Sequence, residues 1–150
     1  MAWGLVEIPN RPNHLSVFAT EAYYTGPDTR VRRFEYRKDG FVSLRGGAKG
    51  GLLIIKPIAL GRLAERLTLN FKTNNGGQVR VSLFRPNGIA IPGYTLAACK
   101  PLTGDHLNHT VSWKSGSDIS GLRRKHPVVQ VGIEVKNADI FSLQFQPWLR

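Results

Sequence analysis

Cysteine is nearly missing from this chain: Cys99 is the only one in 150 residues. No intrachain disulfide can form, and no Cys or His stands at metal-ligand spacing from it. Its neighbours Leu96, Ala97 and Ala98 mark it as a small buried hydrophobe rather than a reactive thiol. No apolar run approaches membrane-spanning length, so no membrane insertion is expected. Met1-Ala2-Trp3-Gly4 leads into Glu7 and Pro9 without the apolar core of a signal peptide. No stretch carries the period of an ordinary amphipathic helix. Acidic residues are also scarce, ten against 21 Lys and Arg, which leaves a net charge of +11. A chain of this length buries a core without metals or disulfides to staple it.

The scarcity of acids bears directly on catalysis. Glycoside hydrolysis needs two carboxylates a few ångströms apart, one protonated and one ionised. Asp39, Asp105, Asp118 and Asp139 sit beside turn residues and read as turn and cap formers. Glu35 and Glu134 occupy strand positions that face solvent. Glu21 alone has an unusual setting, ending a strand beside Tyr23 and Tyr24. One carboxylate does not make a hydrolase. No serine lies in a Gly-x-Ser-x-Gly elbow. Gly46, Gly47, Gly50 and Gly51 lack the Lys-Ser/Thr ending of a phosphate-binding loop. His106 and His109 have a spacing that could ligate a metal on a helix, but the sequence there is a turn entering a strand. The expectation is therefore a non-enzyme with no metal and no cofactor.

What is present is alternation. Leu67/Leu69/Phe71 and Val79/Val81/Leu83 flank Asn74-Asn75-Gly76-Gly77, which predicts a central hairpin. Leu15 to Tyr24 reads as a strand. Arg30 to Arg37 pairs with Phe41–Leu44 across Asp39-Gly40 as a second expected hairpin. Leu52–Ile55 has the apolar run of a strand covered on both faces. Val129, Val131, Ile133 and Val135 face inward on the longest strand signal, and Asn137-Ala138-Asp139 turns it into Ile140–Phe145, where Phe141, Leu143 and Phe145 face the core. Roughly ten strands between frequent turn signals predict an all-β fold, an antiparallel two-sheet β-sandwich, with a barrel as the less favoured alternative.

Basic residues cluster at Arg30, Arg32, Arg33, Arg37 and Lys38, and again at Arg123, Arg124 and Lys125. Phe34 and Tyr36 interleave with the first cluster. A basic sheet with aromatic rings stacks nucleic-acid bases or offers a platform for sugar rings, while period two favours those rings pointing into the core with the arginines outside. The net charge invites a polyanion, either a sulfated glycan or nucleic acid, the latter being the less expected partner.

Arg32-Arg33-Phe34-Glu35-Tyr36-Arg37-Lys38-Asp39-Gly40-Phe41-Val42-Ser43 is the most distinctive segment. With Lys56-Pro57, Leu69-Asn70-Phe71, Gly104-Asp105, Val111-Ser112-Trp113 and Asp139-Ile140-Phe141-Ser142-Leu143-Gln144-Phe145, it resembles the C-terminal β-sandwich of bacterial secreted glycosyl hydrolase-like proteins. In those proteins such a sandwich follows a five-bladed β-propeller of the invertase/levanase type. The resemblance spans about Leu15 to Phe145. It implies a segment at 1–27 similar to the last strands of a propeller, then a sandwich of jelly-roll or concanavalin-like type at 28–150. It further implies an ancillary, non-catalytic module of extracellular or periplasmic location, structural or carbohydrate-associated. The implied partners are a polysaccharide, a propeller domain, or a second copy through residues 1–27. Ala98-Cys99-Lys100 departs from the pattern, where an acidic residue is expected before the cysteine. The candidate ligand-binding residues are Glu21, Tyr23, Tyr24, Arg30, Arg32 and Trp113.

Overall fold

A computed structural model describes residues 4–148, so residues 1–3 and 149–150, the outer ends of the expected 1–27 and 28–150 segments, lie outside the described residues. The chain divides into two compact units, Met1–Val42 and Ser43–Arg150. The division thus falls after Val42 rather than after Pro27, and strand pairing is the reason.

In the smaller unit, β1 (Val6–Glu7), β2 (His14–Glu21) and β3 (Arg30–Arg37) form an antiparallel sheet in that order. β2 and β3 pair over their whole length, from His14 opposite Arg37 to Glu21 opposite Arg30. Arg30–Arg37 therefore belongs with the N-terminal segment, and the hairpin expected across Asp39-Gly40 does not form. The turn itself is there, with Asp39 at φ 51° and the Gly40 N–H donating to the Arg37 carbonyl at 3.1 Å. The next strand pairs elsewhere.

The larger unit contains β4 (Leu44–Gly46), β5 (Gly51–Ile54), β6 (Ile58–Ala59), β7 (Arg66–Phe84), β8 (Asp105–Thr110), the one-turn helix α1 (Leu122–Lys125) and β9 (Val128–Gln146). Its sheet runs β4-β9-β7-β8, with β5 and β6 pairing further along β9. The fold class is all-β, with two antiparallel sheets of three and six strands, as expected of a β-sandwich.

The central hairpin is replaced by something longer. β7 and β9 are 19 residues each and pair with one another almost throughout, from Arg66 opposite Gln146 to Phe84 opposite Gln130. Asn74–Gly77 is not a turn between two strands but a bulge within one: Thr73 pairs with Ala138 and Gln78 with Lys136, leaving Asn137 opposite the extra residues. Asn75, Gly76 and Asn137 all take positive φ here (42°, 70° and 44°), which is why the bulge uses these residue types. The turn expected at Asn137–Asp139 is the other side of the same bulge.

A straight strand of that length spans roughly 60 Å, well beyond the width of a unit of this size. A bulge bends the strand that carries it, and this one lies midway along both β7 and β9. Leu67, Leu69 and Phe71 before the bulge join Val79, Val81 and Leu83 after it in one buried cluster, with Val129, Val131, Ile133 and Val135 from β9. The inward faces predicted by alternation are borne out at these positions and at Leu143 and Phe145, which pack against the cluster, although the connection between them is not. Phe141 is the exception, because Asn70 pairs with Ser142 and Phe71 with Ile140, a register shift that skips Phe141 and buries Ile140 in its place. Leu52–Ile55 also differs from expectation. Leu53 and Ile55 pack against the core while Leu52 and Ile54 are exposed, because the segment is covered on one face only. Cys99 is buried as expected, its Sγ accepting the Val81 N–H at 3.2 Å, and burial pushes its thiol pKa up.

Candidate functional site

Five of the six predicted ligand-binding residues, Glu21, Tyr23, Tyr24, Arg30 and Arg32, lie at the tip of the β2–β3 hairpin. Register places Glu21 opposite Arg30 and Ala19 opposite Arg32, so period two puts Glu21, Arg30 and Arg32 within reach of one another. The Arg30 Nε meets Glu21 Oε2 at 2.9 Å and the Arg32 Nε meets Oε1 at 3.0 Å. Both carboxylate oxygens are therefore engaged by guanidinium groups. A general acid needs an oxygen free to face its substrate; this arrangement orients groups instead.

Beyond Glu21 the chain turns through Ala22 and Tyr24, both at positive φ (52° and 63°). A bulky residue in the left-handed region is uncommon and is held there only by its surroundings. Thr29 does the holding, its Oγ1 donating to the Ala22 carbonyl at 3.1 Å and the Gly26 carbonyl at 3.3 Å. The result is two projecting rings, Tyr23 at 52% and Tyr24 at 89% exposure. Their centroids lie 4.1 Å apart, and the Tyr23 hydroxyl donates to that of Tyr24 at 3.2 Å, a bond that raises the Tyr23 phenol pKa. Thr29 was not singled out from the sequence. A threonine closing Gly26-Pro27-Asp28 was the available signal.

Trp113 does not belong to a binding surface. It is fully buried in the larger unit, and its indole N–H donates to the Val81 carbonyl at 3.0 Å. Alternation placed it beside Val111 on one face, and that face is the core. His106 and His109 lie with ring centroids 4.6 Å apart, both against Phe71. Burial, then the neighbouring His106, lowers the pKa of His109. Among the described residues, no group of three or more His, Cys, Asp and Glu is placed to hold a metal ion.

The charge is distributed unevenly. Unit Met1–Val42 has six Lys and Arg against five acids, a net of +1, and Ser43–Arg150 has fifteen against five, a net of +10. The early basic cluster is largely neutralised within its own sheet. Besides the Glu21 pairs, Arg11 and Arg33 meet Glu35 at 3.3 and 3.0 Å, and Lys38 meets Glu7 at 2.7 Å. Phe34 is half-buried, while Tyr36 is exposed and packs on Phe41 at 5.4 Å. The surplus positive charge is a property of the larger unit.

No family model, no curated protein and no solved structure matches this chain.

Proposed function

We propose that this chain is an ancillary, non-catalytic β-sandwich module of a glycoside hydrolase-like protein, exported with it, and that it contacts carbohydrate through the β2–β3 tip. The observation that carries this reading is the pair of exposed rings, Tyr23 and Tyr24, on a loop whose Ala22 and Tyr24 take left-handed backbone, beside a doubly clamped carboxylate. Exposed aromatic faces stack on the apolar faces of pyranose rings, and a fixed carboxylate–guanidinium array offers donors and acceptors to the hydroxyls. The engagement of both Glu21 oxygens supports binding over turnover. A propeller domain or a second copy of the smaller unit remains the proposed protein partner.

Affinity gel electrophoresis against levan, inulin and xylan at low and high salt tests the reading. Retardation by one neutral glycan at both salts, abolished in Y23A/Y24A, is the expected result. No retardation by any glycan overturns the carbohydrate role and leaves a structural, propeller-supporting one. The charge of the larger unit favours a second reading, polyanion binding, which must weaken steeply with salt because counterion release drives it.

A further inference from the structure

The end of β7 and the α1 segment enclose a cleft of about 590 Å³ whose walls carry Arg85, Arg124, Lys125 and His126. Among the described residues its lining contains no carboxylate, and no ion pair engages Arg85, Arg124 or Lys125. This contrasts with the smaller unit, where the early arginines are largely paired. Three permanent cations facing one concavity repel each other, and an anion placed between them relieves that repulsion.

Both walls are anchored. Arg85 follows β7 directly, its N–H donating to the Ile89 carbonyl at 2.8 Å. The other wall hangs from buried Leu122, and the His126 N–H closes the helical turn onto the Leu122 carbonyl at 2.7 Å. Tyr94 lies between them, packing edge-on against Trp113 at 5.1 Å, with Ile91 buried beside it. Burial, and then the charge of Asp118, raises the Tyr94 pKa, so its hydroxyl stays a donor. The cationic heads are exposed while their supports are fixed, which is the arrangement a preorganised site requires.

We infer that this cleft is an oxyanion subsite for an anionic saccharide, with a sulfate ester or uronate carboxylate held between Arg85 and the Arg124–Lys125 wall and the sugar ring against Ile91 and Tyr94. Guanidinium forks match planar and tetrahedral oxyanions in bidentate fashion. The volume suits a sugar-sized group and not a duplex. The choice of a saccharide as the carrier rests on the carbohydrate reading above; the oxyanion subsite does not.

The test uses the full chain with a sulfated galactan, polygalacturonate and duplex DNA at low salt, alongside the neutral glycan panel. Binding to one or both anionic glycans, weakened roughly tenfold by R124A/K125A and independently by R85A, is the expected result. The control K100A/K114A removes the same charge as R124A/K125A from exposed residues outside the cleft and should change affinity little. The three cleft cations are also exposed, so circular dichroism should show all variants folded. Equal weakening by both double variants makes the binding diffuse and overturns the subsite. So does tighter binding of duplex DNA than of either glycan, or no anionic glycan binding at all. A preference between sulfated galactan and polygalacturonate assigns the anion. Loss of neutral-glycan retention alone strikes the hairpin-tip reading and leaves the cleft standing.

Discussion

Arg45 and Asp139 face each other across the β4–β9 ladder, and the exposed arginine forks the buried carboxylate, Nε to Oδ1 at 2.9 Å and Nη2 to Oδ2 at 3.3 Å. Ser43 adds a third donor at 3.1 Å. The Arg45 hydrogen bond, opposed by burial and aided by Ser43, holds the Asp139 carboxyl below the usual carboxylate range. A depressed folded-state pKa contributes stability that is present above the unfolded value, about 3.9, and is lost as pH falls through the lower folded one. Urea midpoints measured from neutral pH downward should therefore fall more steeply for the parent than for D139N, which starts lower and has no such proton to take up. Parallel pH profiles would sink the assignment.

Gly77 makes a closer approach. A Cβ there would press on the carbonyl oxygens of Lys136, at 2.6 Å, and Asn137. Backbone cannot step aside as a side chain can, so G77A should cost about 1–3 kcal/mol. Gly47 has nothing within 4 Å of its Cβ position, and G47A should be nearly neutral. Equal melting temperatures for the two variants would show that Gly77 is not held against the Lys136 and Asn137 carbonyls.

Tyr24 separates stability from binding. Its left-handed backbone is relieved by glycine, so Y24G should be as stable as the parent or up to roughly 1 kcal/mol more stable. The same variant should lose neutral-glycan retention along with the ring. A stable Y24G that still binds would place the contact elsewhere.

Trp113 gives the opposite pattern. W113A should cost about 3–5 kcal/mol by leaving a cavity and an unpaired Val81 carbonyl. W113F should fold at reduced stability and retain glycan binding unchanged. Loss of binding in a folded W113F would contradict its purely structural role.

The faces of the strands were legible because side chains alternate with period two whatever a strand pairs with. Leu67, Val81 and Ile133 had to point inward in any arrangement that buried them. Connectivity was not legible. Asn74–Gly77 would look the same as a hairpin turn or as a bulge, since both need positive φ and small residues. The choice is made by β9, a distant partner that continues past the junction instead of stopping there. Asp39-Gly40 misleads for the same reason: the turn forms, but Leu44 finds Ile140 rather than β3. The candidate site divides similarly. Glu21, Tyr23, Tyr24, Arg30 and Arg32 lie on one hairpin, so local spacing brings them together. Arg124 and Lys125 stand out as a basic run, whereas the arrival of Arg85 beside them depends on tertiary structure. Trp113 could be assigned to a face, but its burial depends on Val81 and Tyr94.

The pairing of β7 with β9 also has a consequence during synthesis. β7 emerges from the ribosome complete but cannot close its main ladder until residues 128–146 follow. At about 5–20 residues per second it waits several seconds with its apolar faces unpaired. Pairings of such long sequence separation form slowly even in a finished chain. During that wait β8, at Asp105–Thr110, can cover β7 from Thr68 to Lys72, and Ala90 and Leu102 can bridge to Phe84 and Val79 beyond the bulge, but none of these replaces the β9 ladder. The edge of β7 that awaits β9 is the one most open to pairing with another chain. A substitution that slows closure there would be felt first as a lower yield of soluble protein, before any change in the melting temperature of the molecules that do fold.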